Sequence, residues 1–201
     1  MRPPLSELVL ASHNVGKLRE LRALLTPYGI TVTSAAEHNL PEPAEDGDTF
    51  AANARIKAHA AARATGLPAL SDDSGMEVDA LGGGPGVRTA DWAETPSGRD
   101  FLLAMTRTRD AVVAAGAPLP APARFRATLC LAWPDGTDEL FEGAAEGHFV
   151  WPPRGEHGFG YDPCFVPLGH DRRFGEMTPG EKAPLTHRAA AFAALARRLD
   201  G

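Results

Sequence analysis

One stretch near the start of the chain constrains its fold more than any other. The apolar run Leu8-Val9-Leu10-Ala11 gives way to the polar turn Ser12-His13-Asn14-Val15-Gly16-Lys17, and leucines at Leu18, Leu21, Leu24 and Leu25 then recur at helical spacing. Pro27 and Gly29 stop that helix, and residues 30–33 form a second short apolar run. Strand, turn, helix, strand is the signature of an α/β layer, in which a sheet carries helices on its faces.

The rest of the chain fits that class. Residues 41–48 read as an acidic loop, after which Asp48 or Thr49 can cap an alanine-rich helix that ends at Gly66-Leu67-Pro68. Ala69-Leu70-Ser71 reads as a third short strand running into the turn-forming Asp72-Asp73-Ser74-Gly75, and residues 82–86 as a tight glycine-proline loop. Residues 99–115 read as a helix, and the proline-rich connector at 118–122 marks a possible lobe boundary within a single domain. Residues 124–133 alternate apolar and polar as a half-buried strand does, and Pro134-Asp135-Gly136 turns it toward a hairpin partner at 139–150, interrupted by glycines. A glycine-rich loop at 155–163 and a C-terminal helix at 185–199 complete a mixed α/β reading.

Composition excludes several function classes. A formal net charge of -6 gives no counterion-release affinity for a nucleic-acid backbone. Cys130 and Cys164 belong to no CxxC pair and read as two buried thiols in a reducing compartment. The apolar run behind Met1-Arg2-Pro3-Pro4 is too short for a signal-peptide core, and no stretch approaches the ~18 apolar residues of a membrane span, so the expected compartment is the cytoplasm. The scattered histidines form no HExxH, no GxSxG elbow is present, and no GxGxxG follows a strand; zinc, serine-hydrolase and dinucleotide chemistries lack support.

Five short segments can carry chemistry. Ser12 to Lys17 lies at a strand end and a helix start, where backbone N–H groups and a lysine suit phosphate. It is not a Walker A loop, because the first glycine is missing and Leu18 follows the lysine. An ordinary turn capped by Ser12 or Asn14 fits it equally. Asn53 and Lys57 share one helix face at i, i+4, with Glu45 in the loop before them; a solvated surface lysine is the alternative. Asp72 and Asp73 are adjacent and point to opposite faces of an extended chain, so one can hold the loop backbone while the other binds a hard cation or takes a proton from water. A turn with capping carboxylates is the plainer reading. Gly158-Phe159-Gly160-Tyr161-Asp162-Pro163 offers a ring to stack on a base and a carboxylate for its edge, or an aromatic-packed turn. Lys182 and Thr186-His187-Arg188 place donors at the start of the last helix, or simply cap it and charge the surface.

In this order, SHNVGKLRE, TFAANARIKA, SDDSGMEVDALGGGPGV, GFGYDPCFVP, EK and THR together resemble the inosine triphosphate pyrophosphatase family, from Leu8 to about Arg198. The resemblance implies an elongated mixed sheet flanked by helices, with two lobes and a cleft between them, and usually a homodimer. It implies Mg²⁺-dependent hydrolysis of ITP, dITP and XTP to the monophosphate and pyrophosphate. Ser12, His13, Asn14, Val15, Gly16 and Lys17 would line the triphosphate pocket, with Lys57 a second phosphate contact. Glu45 and Asp73 would bind Mg²⁺, and Asp73 would also be the catalytic proton acceptor. Ser74 would contact substrate, and Glu20 would act near the metal. Phe159, Gly160, Tyr161 and Asp162 would hold base and sugar, and Lys182, His187 and Arg188 would complete the base-reading end.

The chain departs from the family pattern at Arg88-Thr89-Ala90-Asp91-Trp92, where the family has tyrosine, a small residue, alanine and arginine. Thr186 stands for the usual serine, and Ala183-Pro184 lacks the usual asparagine. Two other readings stand beside the leading one: a pyrophosphatase for other modified nucleotides, and a non-catalytic nucleotide-binding module. Intact Glu45, Asp73, Lys17 and Lys57 argue against the second.

Overall fold

The computed structural model describes residues 5–200. Met1-Arg2-Pro3-Pro4, part of the N-terminal reading above, lies outside them, as does Gly201. The elements run β1 (Glu7–Leu10), α1 (Val15–Leu25), β2 (Thr31–Ser34), α2 (Phe50–Thr65), β3 (Ala69–Val78), β4 (Glu94–Thr95), β5 (Gly98–Arg99), α3 (Phe101–Ala114), β6 (Ala121–Ala132), β7 (Asp138–Phe149), β8 (Phe165–Pro167), α4 (Pro179–Lys182) and α5 (His187–Leu199). The main sheet has the order β2-β1-β3-β6-β7-β8. It is mixed: β1 pairs parallel with β2 and β3, while β7 pairs antiparallel with β8. The small strands β4 and β5 pair with each other. No helix among the described residues is long and apolar enough to cross a membrane.

The chain divides into two compact units. Among the described residues, the first comprises 5–73, 127–143 and 188–200, and the second 74–126 and 144–187. In the first unit the strand period of two sorts residues onto two faces. Leu8, Leu10, Leu70, Leu129 and Leu131 pack with Leu21 and Leu25 of α1 and with Ala191, Phe192 and Leu195 of α5. Their neighbours Val9, Ala11, Ala69, Cys130 and Ala132 pack with Ala54, Ala58, Ala61 and Ala62 of α2. The alanines of α2 are thus its inner stripe, and their small side chains bring the helix close to the sheet. The second unit has its own core, built from Met76 and Val78 of β3, Ala104, Met105 and Val112 of α3, and a cluster of rings that includes Phe125, Phe149, Phe165 and Phe174.

The structure corrects the sequence reading in two places. β3 does not end at Ser71; it runs ten residues, through Asp72-Asp73-Ser74-Gly75. Each carboxylate there faces a cation on its own side of the strand, Asp73 toward Lys57 and Asp72 toward Arg188, so neither is turned back to cap a turn. β7 is likewise continuous through Gly143 and Gly147, with Gly147 in register opposite Pro167 of β8. Cross-strand pairing overrides the local cost of glycine.

Leu70 tests the sorting of faces. It is fully buried among the leucines of the α1–α5 side. Leu70→Ala is expected to cost about 2–5 kcal/mol in chemical denaturation. A loss below about 1 kcal/mol would remove Leu70 from the core.

Candidate active site

The site of the first unit begins with the pleat of β3. Ser71 and Asp73 share the face of Ala69 and look toward α2; Asp72 shares the face of Leu70 and looks toward α1 and α5. On the α2 side, Ser71 Oγ donates to the Ala54 carbonyl at 2.6 Å, tying strand to helix. One helical turn further, Lys57 is buried and its Nζ donates to Asp73 Oδ1 at 2.8 Å and to Glu45 Oε2 at 2.8 Å. Asn53 positions the acidic loop that carries Glu45, its Oδ1 accepting the Gly47 N–H at 2.8 Å. Gly47 has to be glycine, because a Cβ there would lie 2.6 Å from Asn53 Oδ1 and 2.7 Å from the Ala52 methyl.

The electrostatics of this side are unequal. Burial pushes the Asp73 carboxyl up to about 6 against the attraction of Lys57 and Lys17, with Glu45 adding to the rise. Its Oδ2 is buried without a hydrogen-bond partner. Glu45 sits nearer solvent; burial raises its carboxyl, but Lys57 outweighs that and holds it below its ordinary value. Lys57 is itself raised, since Asp73 and Glu45 together exceed the desolvation that would lower it.

On the other face, Asp72 is the hub of a second cluster. Its Oδ1 lies 2.8 Å from Lys17 Nζ, and its Oδ2 accepts from Arg188 Nε at 2.5 Å. Arg188 Nη1 also donates to Glu20 of α1. Burial would raise Asp72, but Arg188 and Lys17 hold it well below the usual carboxylate range. Lys17 is lowered, first by burial, with Lys57 and Arg188 adding repulsion against the attraction of Asp72. The turn before α1 is built by local polar bonds: the Asn14 N–H donates to Ser12 Oγ at 3.2 Å, Asn14 Oδ1 accepts the Lys17 N–H at 3.1 Å as N-cap, and His13 Nε2 lies 3.0 Å from the Leu40 carbonyl oxygen. Val15 stands exposed and Gly16 half-buried beside it. The segment is a capped turn that leads into a helix N-terminus, with Lys17 in the first turn of that helix.

The second unit assembles a different set. Asp162 Oδ2 accepts the Phe159 N–H at 2.7 Å and the Lys182 Nζ at 2.6 Å, both side chains of the ion pair being buried. The Lys182 ammonium stands 4.9 Å from the centroid of the Phe159 ring and 5.4 Å from that of Phe174, within cation–π range. Gly158, at φ +77°, makes the turn over Asp162. His187 stacks on Phe125 at 4.9 Å and 16°. Gly160 is half-buried at positive φ and Ser74 is half-buried in β3. Tyr161 is 1% exposed, packed edge-on to Phe101 with its hydroxyl 3.3 Å from Thr108 Oγ1, and burial pushes that hydroxyl up to about 12. Its ring is core; the loop offers backbone there.

The structure therefore brings together Glu45, Lys57 and Asp73; Lys17, Glu20, Asp72 and Arg188; and Phe159, Asp162, Lys182 and Phe174. Arg188 shares Asp72 with the lysine of α1. Sequence reasoning left the role of Asp72 open and passed over Phe125 and Phe174, for which no local pattern was a signal. Among the described residues, no group of three or more His, Cys, Asp or Glu side chains is placed to hold a metal. Two carboxylates with one buried, unpartnered oxygen still suit a hard cation that keeps water ligands.

A model of the Ham1 family matches residues 8–198. The chain belongs to the Ham1 family. It is 66% identical over 184 residues to a dITP/XTP pyrophosphatase of Ruegeria pomeroyi, covering 92% of this chain and 90% of that protein. It is 57% identical to one of Mesorhizobium japonicum, covering 96% and 94%. Among solved structures, a HAM1 protein from Coxiella burnetii superimposes with TM-score 0.88 at 36% identity, covering 98% of this chain and 99% of that one. Arg88 and Asp91 pair with each other at 3.4 Å on the surface. Thr89 is buried, and its Oγ1 accepts the Met76 N–H of β3 at 2.9 Å.

The Asp72 hub gives a direct test. Arg188→Met leaves the buried Asp72 with Lys17 as its one remaining cation of the pair and is expected to lower stability by about 3–5 kcal/mol in urea denaturation. The double change Asp72→Leu with Arg188→Met should recover part of the loss; no recovery would mean that the pair is not the cause.

Proposed function

We propose that this Ham1 protein hydrolyses deaminated purine nucleoside triphosphates, ITP, dITP and XTP, to the monophosphate and pyrophosphate, and so keeps them out of DNA and RNA. The reading includes a single catalytic domain that works as a homodimer in the cytoplasm. The observation that carries it is Asp73: a buried carboxylate pushed up to about 6, with one oxygen on Lys57 and the other without a partner. Such a group is ionised near neutral pH yet basic enough to take a proton from water. The names of the relatives point to the substrates.

In this reading Glu45 and Asp73 hold Mg²⁺, which when bound supplies charge neutralisation for the phosphates and acidifies water. Asp73 takes the proton of the water that attacks the α-phosphorus, and the bond from that phosphorus to the bridging oxygen breaks. Lys17, the N–H groups after Ser12, and Lys57 stabilise the negative charge gathering on the departing pyrophosphate. Asp72, clamped by Arg188, keeps Lys17 in place. No covalent intermediate with the protein is required.

The Phe159 ring is proposed to stack on the base, with Lys182 held by Asp162 as the donor to a 6-oxo group. His187, Ser74 and the backbone at Gly160 and Tyr161 serve the same end. The 6-amino group of adenine would leave a buried donor unpaired, at a cost on the order of 1–3 kcal/mol.

Two measurements check this. Across ITP, XTP, dITP, ATP, GTP, CTP and TTP with Mg²⁺, pyrophosphate should appear from the deaminated purines at least about tenfold faster per unit kcat/KM than from ATP. Release of single phosphates, or equal rates on ATP and ITP, would sink the assignment. Asp73→Asn should lower kcat by about 10²-fold or more while nucleotide still binds, as followed by calorimetry. Substantial residual turnover would remove Asp73 from the role of base.

A further inference from the structure

Lys57 is placed where a cation shared by Glu45 and Asp73 would be. Its Nζ lies 2.8 Å from an oxygen of each, on the stem of a helix residue that is itself buried. The ammonium therefore supplies part of the charge that the proposed divalent ion would supply. A free dication approaching the pair meets Glu45 Oε2 and Asp73 Oδ1 already accepting from Lys57, and the positive charge of Lys17, felt by both carboxylates, adds to the repulsion. Asp73 Oδ2 is buried and has no hydrogen-bond partner. The neighbouring carboxylate shows a contrast. Asp72 is held by a rigid guanidinium as well as a lysine, whereas the cation that bridges Glu45 and Asp73 is a flexible ammonium.

We propose that in the nucleotide-free protein Lys57 is the built-in counter-ion of the Glu45/Asp73 pair and keeps a divalent cation out until a polyphosphate draws the ammonium away. This inference rests on the reading of Glu45 and Asp73 as the metal carboxylates. Its consequence is reciprocal coupling. A polyphosphate that takes Lys57 frees two carboxylate oxygens for the cation, and a cation that fills the pair releases Lys57 to the phosphates. The site then assembles only when both ligands are present, and free Mg²⁺ does not dwell on the water-activating carboxylate.

Mn²⁺ serves as the probe, titrated into nucleotide-free protein and followed by electron paramagnetic resonance. Lys57→Met is expected to bind Mn²⁺ about tenfold or more tightly than the unaltered chain, and Lys57→Arg, which keeps the charge, is expected to show no such gain. The gain must vanish in Lys57→Met combined with Asp73→Asn; if it persists, the ion lies elsewhere and the proposal falls. It also falls if Lys57→Met binds Mn²⁺ no tighter than the unaltered chain. Should Lys57→Met fail to fold, thermal melting of the unaltered protein decides. The shift with Mn²⁺ and α,β-methylene inosine triphosphate together should exceed the sum of the two separate shifts, and additive shifts overturn the coupling. None of these measurements reads turnover. A protein that passes them but fails the substrate panel keeps its coupling and loses its assigned substrates.

Discussion

The pleat of β3 is the constraint on which the charged site of the first unit depends. Successive residues of an extended strand face opposite ways, so Ser71 and Asp73 meet α2 while Leu70 and Asp72 meet α1 and α5. A slip of one residue would exchange the two carboxylates and leave each facing the wrong cations. The leucines and alanines on either side of β3 prevent that slip, since it would also turn Leu70 into the tight space beside the alanines of α2. Packing of apolar residues thus sets the register, and the register sets the electrostatics.

Two aspartates in sequence then acquire opposite properties. Asp72 is buried between an arginine and a lysine and is held far down as a permanent anion. Asp73 is buried with a lysine that it shares with Glu45, and it is pushed up toward neutrality. Residue type does not distinguish them; the neighbouring charges do, Arg188 and Lys17 around Asp72 against Lys57, Lys17 and the anion Glu45 around Asp73. One carboxylate becomes a fixed support for Lys17, the other a group able to accept a proton. The second unit uses a third arrangement, in which Asp162 binds Lys182 beneath aromatic rings and fixes the loop at Phe159.

Several features were legible without coordinates because they rest on local rules. The leucine spacing of α1, a cap for α2 at Asp48 or Thr49 (Thr49 serves) and the turn after Trp133 are set by neighbours in the chain, whereas β6 alternates only through Arg126 and is buried on both faces from Ala127, between the leucines of the α1–α5 side and the alanines of α2. The full length of β3 was not legible, because Asp-Asp-Ser-Gly favours a turn until cations from distant helices satisfy it. Nor was the continuity of β7, where strand pairing overrides glycine. The burial of the Tyr161 ring against Phe101 was equally hidden, since an aromatic residue in a glycine-rich loop reads as a ligand contact as readily as core.

The sequence by itself determined the α/β class, the inventory of lysines and carboxylates, and, through the series of motifs, the Ham1 family. These depend on residue types and short spacings, which a linear text preserves. Only the tertiary structure decided that Lys57 bridges Glu45 and Asp73, that Asp72 belongs to Lys17 and Arg188, and that Arg188 also reaches Glu20. Those pairings join residues far apart in the chain. They arise where a strand's alternating faces meet separate helices, and the strength of each follows from burial, which exists only once the core has closed.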